Sequence, residues 1–176
     1  KGNWIFDEAH SYVDFSIRHL LATSKGSFQK VSGNVSFNDT IEKSKLNLTV
    51  DVNSVYTGTK KRDKHLKSDE FFDAAKYPTI KFVSTSFSKI ENGYLVNGNL
   101  TIKGITKAIA VPFKYFGKED SPWGVPSAAF AGEITINRND YGLTYGKGLL
   151  GDDVKIEFSI ELNPKPKNAD NKATGI

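Results

Sequence analysis

The sequence predicts an all-β fold: about eight antiparallel strands closed into a barrel, with one short helical crossover over a mouth. Apolar and polar side chains alternate with a period of two through most of the chain, as on strands with one buried face. Clusters of Gly, Pro, Asn and Asp separate these stretches at short intervals. One segment, residues 54–84, breaks the alternation and carries a dense run of charge. Closure removes exposed sheet edges, so a barrel fits better than the alternative, a two-sheet sandwich.

Residues 4–18 start with a turn at Asp7-Glu8 and enter a strand in which Val13, Phe15 and Ile17 alternate with Asp14, Ser16 and Arg18. Gly26 marks a turn. Residues 28–37 come next, with Val31, Gly33, Val35 and Phe37 on one face. Gly33 inside that strand predicts a bend or bulge of the kind barrel closure uses. Leu46, Leu48, Val50 and Val52 repeat the pattern against Asn47, Thr49 and Asp51.

The crossover opens at Thr57-Gly58, is charged from Lys60 to Asp69, buries Phe71, Phe72 and Tyr77, and is halted by Pro78. Its basic run, Lys60, Lys61, Arg62, Lys64 and Lys67, is interrupted by Asp63 and followed by Asp69 and Glu70. That is the pattern of a solvated helix face, and no nucleic-acid partner is expected.

Strands resume at Ile80 and Phe82, with a change of register before Phe87. Asn92-Gly93 is a strong hairpin signal leading into residues 94–103. Gly104 turns the chain into residues 107–116, where Ile109, Val111, Phe113 and Tyr115 share a face. Residues 118–127 read as a loop around Pro122, Gly124 and Pro126. Residues 130–138 carry Ile134 and Ile136 in phase, and residues 139–151 are rich in turns. The last strand presents Val154, Ile156, Phe158, Ile160 and Leu162. Residues 164–176 offer almost no apolar side chain to offset the entropy of ordering. They are expected to form a disordered tail after a single domain spanning 1–163.

The 176 residues are 38% hydrophobic and 25% charged, with a formal net charge of +4, an ordinary balance for one domain with a substantial core. Aromatics make up 12%, enough to pack a core or line a pocket. The absence of Cys excludes disulfides, thiol catalysis and thiolate metal sites. No apolar run approaches the ~18 residues a membrane helix needs, so no integral membrane segment is expected. Position 1 is Lys, which either a removed secretion signal or a trimmed boundary accounts for.

Gly146-Lys-Gly148-Leu-Leu-Gly151 matches G-x-G-x-x-G, but Asp152-Asp153 and a strand come after it, where a dinucleotide site needs a helix N-terminus. His10, His19 and His65 show no i,i+4 pair, so no metal is expected. His10 and Ser11, being neighbours, point to opposite faces of any strand and form no nucleophile and base. No cofactor or catalytic residue is expected. The strand aromatics leave two readings open, a packed core and a lined cavity.

Longer motifs carry a resemblance. Ser54 to Gly58, Arg62 to Ser68, Phe71-Phe72-Asp73, Tyr77-Pro78, Phe82 and Ser84 resemble the signature of the YceI-like family, lipocalin-like bacterial proteins that bind polyisoprenoids. His10-Ser11 with Phe15, His19 and Gly26-Ser27-Phe28 resembles the family's opening. Gly98 to Lys107 resembles its central hairpin, and Ile136-Asn137-Arg138 with Asp140 to Leu143 and Gly151-Asp152 its closing pattern. The likeness covers residues 4–162 and implies a lipocalin-like barrel holding an isoprenoid lipid, a prenyl quinone or polyprenyl phosphate, in its bore. It further implies a periplasmic or secreted location, frequent homodimers, and no established enzymatic reaction.

On that footing the expected bore residues are Phe15, Ile17, Val35, Phe37, Leu48, Val50, Phe82, Val96, Phe113, Ile134, Ile136, Ile156 and Phe158, with Phe71 and Phe72 closing the mouth. Arg62, His65 and Arg138 are the head-group candidates, because a phosphate or quinone oxygen needs donors. Two rivals remain. One is an enzyme acting on isoprenoids with Asp63 and His65 as its acid and base. The other is a filled barrel acting in stress or adhesion without a ligand.

Overall fold

A computed structural model describes residues 2–166. Among the described residues eleven strands form one antiparallel sheet. In chain order they are β1 (Gly2–Phe6), β2 (Tyr12–His19), β3 (Ala22–Phe28), β4 (Val31–Phe37), β5 (Lys45–Asp51), β6 (Val55–Tyr56), β7 (Thr79–Ile90), β8 (Gly93–Ile102), β9 (Ile105–Asp120), β10 (Pro126–Asn137) and β11 (Leu150–Pro164). An α-helix, α1 (Lys60–Lys67), lies between β6 and β7.

Eight of these strands close the expected barrel in the order β1-β4-β5-β7-β8-β9-β10-β11, with β11 returning to β1. The remaining three extend the wall. β11 is long enough to serve two neighbours end to end: Leu162–Pro164 pair with β1, and the stretch up to Ser159 pairs with β2. β3 lies beyond β2, and β6 pairs with β3 at Ser27 and Phe28.

The break between β1 and β2 explains the His10-Ser11 motif. Asp7 turns the chain, its Oδ1 accepting from the N–H of Ala9 and of His10. Buried Ser11 then supplies what the missing ladder would have supplied: its hydroxyl accepts from the Glu161 N–H at 3.1 Å. The Glu161 carbonyl takes the Asp7 N–H at 2.8 Å. The backbone groups of β11 therefore stay paired across the interruption, as buried amides require.

The crossover sits at the end of the barrel where β8 turns into β9 and β10 into β11. The Asp63 carboxylate accepts from the Thr57 N–H (2.8 Å) and hydroxyl (2.6 Å), tying the helix to the strand that precedes it. No residue of α1 is buried, in keeping with its charge. The segment after the helix packs inward: the Phe72 ring meets Phe28 edge to face at 5.6 Å, and the Lys103 ammonium holds the Asp69 carbonyl at 2.9 Å. The turn-rich segment after β10 is clasped by Arg138 and continues directly into β11, so Gly146 and Gly148 are turn positions with positive φ.

Four glycines inside strands share one role. A Cβ on Gly26 would lie 2.5 Å from Phe15 Cζ, on Gly33 2.9 Å from Phe6 Cζ, and on Gly132 2.7 Å from Phe158 Cζ; on Gly98 it would collide with Phe82 Cζ. In each case a phenylalanine ring from an adjoining strand lies along the wall over the bare glycine backbone, the packing known as aromatic rescue.

The structure corrects several sequence expectations. Gly26 is no turn; it lies within β3, and the turn is Leu20-Leu21. Gly33 forms no bulge, because β4 and β5 pair in continuous register through it; it is glycine to admit Phe6. The register change before Phe87 does occur, between Ser84 and Ser86. Residues 28–37 are two strands, broken at Gln29-Lys30 where both N–H groups turn to Ser54. Val52 leaves the sheet for a 3₁₀ turn. The loop expected at 118–127 shrinks to residues 121–125, because β9 and β10 pair out to Asp120 and Pro126. Pro164 belongs to β11 and the Lys165 N–H bonds Asn3 O, so 164 and 165 are held to the sheet and are not part of the expected tail; residues 167–176 of that tail lie outside those described.

Gly98→Ala is expected to lower stability in urea denaturation by about 1–3 kcal/mol, because its Cβ meets the Val83 carbonyl at 2.6 Å as well as the ring. Gly26→Ala, whose Cβ has side-chain atoms of Phe15 and Thr57 as its nearest neighbours, is expected to cost less.

Candidate functional site

The barrel is hollow. Its interior holds a cavity of about 630 Å³ that runs from Trp4, Phe37 and Tyr115 at one end to Ile17, Leu143 and Leu150 at the other. That volume falls within the ~300–1,000 Å³ typical of small-molecule sites. The flat rings over Gly26, Gly98 and Gly132 belong to its lining, so aromatic bulk is carried without filling the bore.

Every expected bore residue lines this cavity: Phe15, Ile17, Val35, Phe37, Leu48, Val50, Phe82, Val96, Phe113, Ile134, Ile136, Ile156 and Phe158, with Phe71 and Phe72 beneath the crossover. Sequence reasoning missed Leu46, Ile80, Leu100, Val111 and Phe130. Their period-two phase carried the signal. It also missed Leu66 and Leu143, which reach the cavity from the helix and from a turn, where no alternation marks them.

The head-group candidates separate. Arg62 lines the cavity while its Nε and Nη2 donate to the Thr57 hydroxyl (2.8 Å) and carbonyl (2.7 Å). His65 does not line it. On the helix Arg62 and Leu66 share a face at i,i+4 and both reach the cavity, whereas the His65 side chain is drawn to the segments beside α1. Its ring meets Phe71 at 4.9 Å and Tyr145 at 4.8 Å, and its Nε2 lies 2.5 Å from Glu70 Oε2. Asp63 and His65 thus hold different partners, Thr57 and Glu70, and form no acid–base pair.

Arg138 lines the cavity and is only 3% exposed. Its Nε donates to Gly151 O at 2.8 Å, and its Nη1 to Leu143 O and Tyr145 O at 2.6 Å each. Nη2 reaches Leu150 O at 3.5 Å. All four acceptors are neutral carbonyls, so the buried charge is solvated by backbone dipoles rather than cancelled by an acid. His19, Ser24 and Thr57 are further polar groups at this end, and Asn38, Tyr94 and Lys118 at the other. Among the described residues no Asp or Glu lines the cavity.

A second cluster lies on the outer wall, where ligand atoms of Asp7, His10 and Glu161 fall within 4.8 Å of one another. Asp7 Oδ2 takes His10 Nδ1 at 3.0 Å and the Asn163 amide at 3.2 Å, while Oδ1 holds the turn. Hydrogen bonds thus account for the position of the Asp7 carboxylate. The bond to His10 holds the Asp7 carboxyl below its ordinary value, and the same bond raises His10.

The comparisons with known proteins converge on one family. A family profile described as the YceI-like domain matches residues 4–162. The protein YceI of Salmonella arizonae is 36% identical over 154 residues, covering 86% of this chain and 81% of that protein. The crystal structure of BcnA from Burkholderia cenocepacia superposes with a TM-score of 0.81 at 27% identity, covering 89% of this chain and 98% of the other. A polyisoprenoid binding domain from Saccharophagus degradans, implicated in plant cell wall breakdown, shares the fold with a TM-score of 0.71 at 18% identity, covering 94% and 100%.

Arg138→Met is expected to destabilise by about 3 kcal/mol, because it strands buried carbonyls that each cost ~1–3 kcal/mol when unpaired; thermal melts check this. The Asp7–His10 pair should support the fold most between pH ~4 and ~6.5, where both groups are charged in either state. The contribution fades as pH falls through the lowered Asp7 value, and as pH rises through the raised His10 value. In an NMR titration, Asp7→Asn should return His10 towards its ordinary value.

Proposed function

Because the chain belongs to the YceI-like family, we propose that it binds a long-chain isoprenoid lipid within its barrel, for carriage, storage or protection rather than for catalysis. The observation that carries this reading is the hollow, almost wholly apolar interior. A cavity walled by Phe, Ile, Leu and Val offers a branched hydrocarbon chain continuous contact and offers a polar solute little. The Saccharophagus domain, named for polyisoprenoid binding, has the same fold, which agrees with this reading.

Each buried CH₂ contributes at most ~0.8 kcal/mol. Several isoprene units would nominally exceed the ~18–21 kcal/mol at which non-covalent affinity saturates, so chain ordering and incomplete burial must cancel much of the gain. The useful outcome is a lipid made soluble with few polar contacts. The acid-free lining, with Arg62 and Arg138 at the crossover end, favours an anionic head group there, as in a polyprenyl phosphate, over a neutral quinone. We further propose a periplasmic or secreted setting, where an aqueous gap between membranes gives such a carrier its use.

Native mass spectrometry of the purified protein incubated with a polyprenyl phosphate is expected to show a one-to-one complex, and failure to bind either it or a prenyl quinone overturns the proposal. Ile156 faces the cavity, so Ile156→Trp should fill space without disturbing the ladder. Its expected effect is binding weaker by about tenfold or more, or ~1.4 kcal/mol, at unchanged thermal stability.

A further inference from the structure

The turn between β2 and β3 departs from hairpin chemistry. A two-residue hairpin connection with positive φ calls for Asn or Gly. Here the residues are Leu20 and Leu21, and Leu20 adopts φ +52°, a left-handed conformation that costs a branched apolar side chain energy. The strain is matched by exposure: Leu20 is 57% exposed and Leu21 102%. Leu149 joins them, because its carbonyl accepts the Leu20 N–H at 2.9 Å, and it too is exposed. Local rules broken at an exposed tip point to a use for that tip.

The charge around the tip is also uneven. Arg18 and Lys147 flank it, both exposed. The segment that carries Leu149 also carries Tyr145, whose ring contacts His65 on α1 and so links the tip to the basic helix. Lys60, Lys61 and Lys64 on α1 are exposed. Of the acids at this end, Asp63 is engaged by Thr57 and Glu70 by His65, while Asp69 and Asp140 are exposed. Asp152 and Asp153, both exposed, follow Leu149 at the start of β11.

From this geometry we infer that the crossover end docks on an anionic lipid bilayer, with Leu20, Leu21 and Leu149 entering the interface and the α1 lysines resting on the head groups. Apolar insertion supported by basic residues is how peripheral proteins hold such a surface. Trp123, 86% exposed at the β9–β10 turn, is the rival anchor, but it sits at the opposite end of the barrel, away from α1. The inference extends the lipid-carrier reading, since the docked end is the one where Arg62 and Arg138 meet the cavity, yet it is testable without any isoprenoid.

The test is co-sedimentation of the full chain with vesicles of phosphatidylcholine alone or with phosphatidylglycerol, both free of isoprenoid. Binding is expected only with phosphatidylglycerol, weakening as salt rises. The double variant Leu20→Ser/Leu21→Ser should lose about tenfold or more of the partitioning, and Lys60→Glu/Lys64→Glu, exposed and neutral to folding, a comparable share. Trp123→Ser should change nothing. No vesicle binding, equal binding to neutral vesicles, or loss only in Trp123→Ser would each overturn docking at this end. A separate isoprenoid-binding measurement on the same variants keeps the two readings apart: intact uptake with lost docking supports both, and lost uptake in wild-type protein sinks the carrier reading alone.

Discussion

The hollow depends on where the phenylalanine rings lie. A barrel of eight strands is narrow enough for its own side chains to fill. Had the rings of Phe15, Phe82 and Phe158 pointed at the axis, they would have met in the middle and made a solid core. Glycine on the adjoining strand removes the one side chain that would hold each ring off the wall, and the ring lies down along the sheet. Aromatic area is buried against backbone, and space along the axis survives. Without that arrangement the cavity, and the lipid-binding reading built on it, would have no room.

Much of this is legible in the sequence. The alternation of Val13, Phe15 and Ile17, or of Val154, Ile156 and Phe158, fixes which side chains face inward, because a strand has only two faces. For the same reason every expected bore residue lines the cavity. The features hidden from the sequence are of another kind. Gly26 reads as a turn because glycine reports freedom or closeness alike, and only the position of Phe15 decides between them. The Leu20-Leu21 turn gives no turn signal at all. His65 sits near Arg62 in sequence, yet the helix sends one to Glu70 and the other to the cavity. Arg138 is readable as a donor, but that its partners are four carbonyls depends on how residues 143–151 fold back over it.

The two ends of the barrel differ in chemistry. The crossover end gathers Arg62, Arg138 and His19 against a lining free of acids, beneath a helix whose exposed face is basic. The opposite end is rimmed by aromatics: Tyr115 lies 5.9 Å from Phe37, which lies 6.2 Å from Trp4, and Lys118 sits over the Trp4 ring. An amphiphile entering such a bore has a preferred direction, set by electrostatics at one end and by dispersion and cation–π contact at the other.

The place of β11 bears on how the molecule comes into being. This last strand completes three pairings at once, with β10, with β2 and with β1. A nascent chain lacking it presents three unmated edges and an apolar inner surface to solvent, and no earlier strand can substitute. Maturation is therefore late and nearly all-or-none, with the N-terminal strand waiting for the C-terminal one. Contacts so distant in sequence form slowly and leave a long interval of vulnerability to aggregation. Such a protein would gain from a chaperone, or from a lipid that shelters the open trough until the seam is sewn.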